Sequence, residues 1–138
     1  KDKINLNRAL ICYMMHGSVL YGWCESDGNI VTPVNQFAPE PDPDAQCSNF
    51  YYFSDDIAFY MTTTTKHTGK RKVLHSSIKM VEASFGNYKV TDVYEDNDVR
   101  AEILNFGVDN TRQRLCILTG IKNRKEKRDK FITLYCFA

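Results

Sequence analysis

The chain has 138 residues, 43% hydrophobic and 25% charged, with 18 basic against 17 acidic side chains and a formal net charge of +1. These values fit one globular domain spanning 1–138, long enough to bury about two-thirds of its unfolded surface. The near-neutral balance excludes a dedicated nucleic-acid binder, which carries a clear basic surplus against phosphate.

The longest uninterrupted apolar run, Ala9–Met15, is too short for a membrane-spanning helix, which needs about twenty residues. It is also shorter than an export segment with its cleavage site, so an export signal would precede Lys1. In chain order, Ile4, Leu6, Ala9, Leu10, Tyr13 and Met14 follow a 3.6-residue period, predicting a short N-terminal helix ended near Gly17. Ser18 to Cys24 is β-branched and aromatic and reads as extended. The turn signal Ser26-Asp27-Gly28-Asn29 and Pro33, Pro39, Pro41 and Pro43 make residues 25–46 a long irregular loop, either functional or a plain surface crossing.

From Cys47 onward, strand-length segments rich in Val, Ile, Thr, Tyr and Phe alternate with polar turns. They are Ser48–Phe53, Ile57–Thr65, Lys72–Val81, Tyr88–Tyr94, Val99–Phe106, Arg114–Ile121 and Phe131–Phe137, and Val19–Cys24 makes eight. Short connectors force antiparallel neighbours, since a parallel pair needs a crossover of about a dozen residues. The fold class is therefore all-β, an eight-stranded antiparallel up-and-down barrel with a short N-terminal helix. An immunoglobulin-type sandwich is the alternative, because Cys12, Trp23 and Cys47 follow a Cys-Trp-Cys order. A barrel of this size is either filled by its own side chains or holds one small ligand.

Five widely spaced cysteines, Cys12, Cys24, Cys47, Cys116 and Cys136, contain no CxxC pair. They read as two disulfides plus a spare thiol in an oxidising compartment, or as five buried thiols in a reducing one. His16, His67 and His75 lack a metal-ligand spacing, glycine-rich nucleotide loops are missing, and no nucleophile-base signature surrounds any residue. The expectation is a binding protein without metal or cofactor rather than an enzyme. Trp23, Tyr52, Phe59, Tyr60, Met61 and Tyr94 are the aromatic and Met side chains that would converge on a cavity or, equally, pack a core. Asp92 interrupts the row Tyr88, Val90, Tyr94: facing inward it is a binding determinant, facing outward a solvated turn residue. Glu102, with Arg100 and Arg114 as nearby partners, poses the same choice. The run Asn123–Lys130, with Lys66, Lys70, Arg71 and Lys72, is a basic patch for heparin-like or anionic surfaces, or a solvated turn.

A strand bearing Gly22-Trp23, a long crossover, Cys47 opening a meander, the segment Asn87-Tyr88-Lys89-Val90-Thr91-Asp92-Val93-Tyr94-Glu95-Asp96-Asn97 and then Leu115-Cys116-Ile117-Leu118-Thr119 form an ordered set. This order resembles the lipocalin family, and within it the salivary lipocalins of blood-feeding arthropods such as ticks. The resemblance implies a secreted, extracellular calyx that modulates host immune defence by sequestering a small hydrophobic or amine ligand: histamine or serotonin, a leukotriene or fatty acid, or a sterol. It also implies disulfides Cys12–Cys116 and Cys47–Cys136, leaving Cys24 unpaired. Some relatives bind host proteins such as complement components through outer loops. The second reading is accordingly a β module without a cavity that engages a host protein through the loop from Asn29 to Gln46 and the basic turn near Arg124. The chain is taken as a monomer with no nucleic-acid partner and no membrane span.

Overall fold

The computed structural model describes residues 7–15, 18–33, 38–84, 87–96, 100–125 and 127–137, and these are all-β. The strands are β1 (Asn7–Met15), β2 (Ser18–Ser26), β3 (Val31–Pro33), β4 (Ala38–Pro39), β5 (Gln46–Ser54), β6 (Ile57–Thr68), β7 (Arg71–Ser84), β8 (Asn87–Glu95), β9 (Ala101–Asp109), β10 (Arg114–Lys122) and β11 (Arg128–Cys136). They form three antiparallel sheets: β1-β2-β3 with β4 also on β2, the meander β5-β6-β7-β8, and the meander β9-β10-β11. No helix long and apolar enough to cross a membrane is present among the described residues.

Turn chemistry sets these hairpins. Gly69 adopts φ 64 at the β6–β7 tip, a left-handed conformation that glycine enters without Cβ strain. Between β2 and β3, Asp27 Oδ1 accepts from Asn29 N and Ile30 N, both at 2.9 Å. Those two backbone donors, Ile30 first, hold the Asp27 carboxyl below the usual carboxylate range.

The β5–β8 sheet is the middle layer, and alternation gives it two apolar faces. On one face Phe59, Met61 and Ile78 pack against Ile103, Leu115 and Ile117 of the β9–β11 sheet. Phe53, Phe59 and Phe137 meet edge to face there, with ring centroids 5.0–6.1 Å apart. On the other face lie Cys47, Ala58, Tyr60, Val81 and Ala83. β1 contacts β6 on this molecule and β2 contacts β5. Asn49, at φ 56, sits where two β5 residues oppose one on β6, and its Nδ2 donates to Asn105 Oδ1 at 2.7 Å, stitching β5 to β9.

Three expectations change. Residues 7–15 form a strand, not a helix; all nine pair with β2, and an unbroken apolar run such as Ala9–Met15 satisfies a buried strand as well as a helix. The barrel does not close: among the described residues β8 does not pair with β9, and β11 pairs only with β10. Instead β9 contacts β5 and β7, so its apolar face covers the middle sheet rather than extending its edge. Finally, the implied Cys47–Cys136 bridge is not formed. Cys47 is buried on the face of Tyr60, whereas Cys136 is exposed on β11 in the far layer. Cys116 is exposed, and the side chain of Cys12 lies outside the described residues.

Burial pushes the Cys24 thiol up from its ordinary range, which disfavours the reactive thiolate. Brief iodoacetamide treatment of the native, reduced protein should therefore label Cys116 and Cys136 and spare Cys24 until denaturant is added. Peptide mapping that found Cys24 labelled as fast as Cys116 would contradict its position.

Candidate functional site

The β6–β7 register sets Tyr60 opposite Lys79, Thr62 opposite Ser77 and Thr64 opposite His75. With a side-chain period of two, these six share one face of the middle sheet. β8 joins them through an irregularity. Ile78 pairs with Tyr94 but Lys79 pairs with Asp92, so Val93 is an extra residue. Val93 and Tyr94 then both pack into the inter-sheet core, and Asp92 and Glu95 both turn to the hydroxyl face, which a regular strand would forbid to residues three apart.

The fourth wall comes from the loop after β4. Pro39 and Pro41 flank Glu40, and the residue before a proline is held extended, so the Glu40 carboxylate is presented to the sheet with little freedom to lose. Glu40 accepts from the Tyr60 hydroxyl, from Lys79 Nζ and, at 3.2 Å, from Asp42 N. Its side chain is 1% exposed and that of Lys79 13%. Asp42 O receives Ala45 N at 3.2 Å and Asp42 Oδ1 receives Asp44 N at 3.0 Å, folding the loop into a turn anchored on buried Ala45.

Together these elements enclose an open cleft of about 170 Å³. Its floor is a hydroxyl relay: the Thr62 and Ser77 hydroxyls are 2.8 Å apart, and Ser77 donates to Asp92 Oδ1 at 3.5 Å. Thr64 Oγ1 donates to Asp42 Oδ2 at 3.4 Å, and His75 Nε2 lies 3.5 Å from Glu95 Oε1. Because Glu40 neutralises Lys79, the remaining charge among the described lining side chains is set by Asp42, Asp92 and Glu95 against one imidazole. The cleft is therefore negative and lined with acceptors, an environment for a small cation. Among the described residues, no group of three or more His, Cys, Asp or Glu side chains is arranged to hold a metal ion.

The residues singled out from the sequence separate into several places. Asp92 lies on the cleft and is exposed, so it is both solvated and at the site. Tyr60 stands behind it, holding Glu40. Phe59 and Met61 are buried between the sheets, and Tyr94 packs against that core with its ring 5.6 Å from Tyr135. Tyr52 is 47% exposed. Glu102 is ion-paired to Arg128 at 2.9 Å, away from the cleft. The side chain of Trp23 lies outside the described residues. The structure thus does not gather the aromatic set into one cavity. Sequence reasoning missed Glu40 and the cleft residues Asp42, Thr62, Thr64, His75, Ser77, Lys79 and Glu95. No family model, curated protein or solved structure matches the chain.

Proposed function

We propose that this protein is a secreted binding protein that sequesters a small amine in the cleft of β6–β8, as a modulator of host defence. The observation that carries the reading is the convergence of Asp42, Asp92 and Glu95 over the Thr62–Ser77 hydroxyl floor while Lys79 is consumed by Glu40. An ammonium group entering there finds carboxylate and hydroxyl acceptors and no competing free cation from Lys79. The volume of about 170 Å³ lies below the roughly 300 Å³ at which drug-sized sites begin, which favours a ligand of few heavy atoms. The packed core between the sheets leaves long-chain apolar ligands without a comparable place among the described residues.

Calorimetric titration with a panel of biogenic amines should find saturable binding, weakened roughly tenfold or more by Asp92→Asn, the worth of one charge-assisted hydrogen bond at a partly wet site. Absence of binding across the panel, or full affinity in Asp92→Asn, would overturn the reading.

One observation favours the second reading, a host-protein binder. β11 is an edge strand on which Phe131, Ile132 and Leu134 are more than half exposed, Ile132 by 71%. Glu40 and Ala45 anchor the Pro-rich loop on the sheet and leave Pro39, Pro41, Pro43 and Asp44 exposed. A host-protein complex that forms equally well with Asp92→Asn would favour this reading.

A further inference from the structure

We infer that the protein carries a second site, separate from the amine cleft, that takes the sulfate groups of a linear sulfated polysaccharide. It is a cleft of about 190 Å³ between the start of β7 and the β9–β11 sheet. Among the described residues, Lys72, Arg100, Lys122 and Arg128 line it, against one carboxylate, Glu102.

The strand ends that carry these cations are fixed in place. Lys122 N donates to Arg100 O at 3.4 Å, drawing together the end of β10 and the approach to β9. The Arg128 stem lies over Gly120 on β10: a Cβ there would meet Arg128 Cδ at 3.5 Å, an ordinary contact, and Leu104 Cδ1 at a tight 3.1 Å. Glu102 then holds Arg128 Nη2 at 2.9 Å, orienting a guanidinium that has further N–H donors to offer. A planar, oriented guanidinium beside ammonium groups suits the oxygens of a sulfate or phosphate ester.

The charge continues out of the cleft. From Lys122 to Lys130 the chain places six cations against Glu126 and Asp129, although the whole protein is only +1. The turn that displays them is pinned: Asn123 Oδ1 accepts from Lys125 N at 3.0 Å and Lys127 N at 3.1 Å, and Asn123 N donates to Lys127 O at 2.8 Å. Exposed Arg124, Lys125 and Lys127 thus extend the cleft into a track longer than one anionic group. The extension favours a polyanion over a lone phosphate. Among the described residues no aromatic ring lines the cleft, so base stacking, which supports single-stranded nucleic acid binding, finds no platform in them.

The test is calorimetric titration of the purified protein with a heparin-derived octasaccharide, with inorganic sulfate and an oligothymidylate of matched charge as comparisons. Binding of the octasaccharide should weaken at least about tenfold between about 50 and about 300 mM salt, as counterion release requires. The double variant Lys72→Ala, Lys122→Ala should lose at least about tenfold at the lower salt, while Lys89→Ala on exposed β8 stays within about twofold, unfolding curves confirming that each is folded. No binding, equal losses in the cleft and control variants, or matching affinity for sulfate or the oligonucleotide would overturn the proposal. Neither variant touches the amine cleft, so failure here leaves the proposed function standing.

Discussion

Replacing Lys79 by methionine should lower the free energy of unfolding by about 3–5 kcal/mol, the cost of leaving one partner of a buried ion pair uncompensated. Glu40 is almost wholly enclosed, and in the variant the Tyr60 hydroxyl and Asp42 N would be left to solvate its carboxylate alone. Glu40→Gln in the same chain removes the orphaned charge, so the double variant should recover part of the loss, with a coupling of about 1–3 kcal/mol. Urea denaturation followed by circular dichroism measures all three. A loss below about 1 kcal/mol for Lys79→Met would place the pair among exposed ones. It would also detach the Pro39–Ala45 loop from the sheet and remove one wall of the amine cleft.

Phe59→Ala should cost about 3–5 kcal/mol, because it removes a fully buried ring from the junction of Phe53, Phe137, Ile78 and Ile117 and leaves a void that the two sheets cannot close. The size of the loss separates a solid interior from a hollow one. Were this face of β6 the wall of an open calyx, truncation would forfeit only the transfer free energy of the ring, about 1.5–3 kcal/mol, and the variant would gain room for ligand. Tyr52→Ala, on the same sheet but about half exposed, serves as the comparison and should cost no more than about 1 kcal/mol.

The strands were legible where turn chemistry bounded a β-rich run. Tyr88–Tyr94 was expected and Asn87–Glu95 is found; Arg114–Ile121 was expected and Arg114–Lys122 is found. The N-terminal strand was not, since its side chains carry no clear alternation and its partner strand, not its own pattern, decides its state. Sheet closure was illegible for a related reason: sequence-adjacent pairing holds within each meander and breaks between β8 and β9, where packing a face outweighs extending an edge. At the site, Asp92 was visible because it broke an apolar row. Glu95, on the same cleft, was not, because the extra residue Val93 shifts the alternation. Lys79 carried a usable signal: a cation between Ile78 and Met80 in the middle of a long strand needs a counter-charge once both faces are covered. Glu40 between two prolines was the complementary one, masked by its reading as loop.

Titration of the ¹⁵N-labelled protein with a small biogenic amine, read by amide chemical shifts, locates the amine site directly. Changes are expected at Thr62, Thr64, Ser77 and Asp92, saturating with the calorimetric binding curve, while Phe59, Ile78 and Ile117 stay in place. Shifts centred on those interior residues, or a spectrum that does not move at saturating amine, would contradict the amine site.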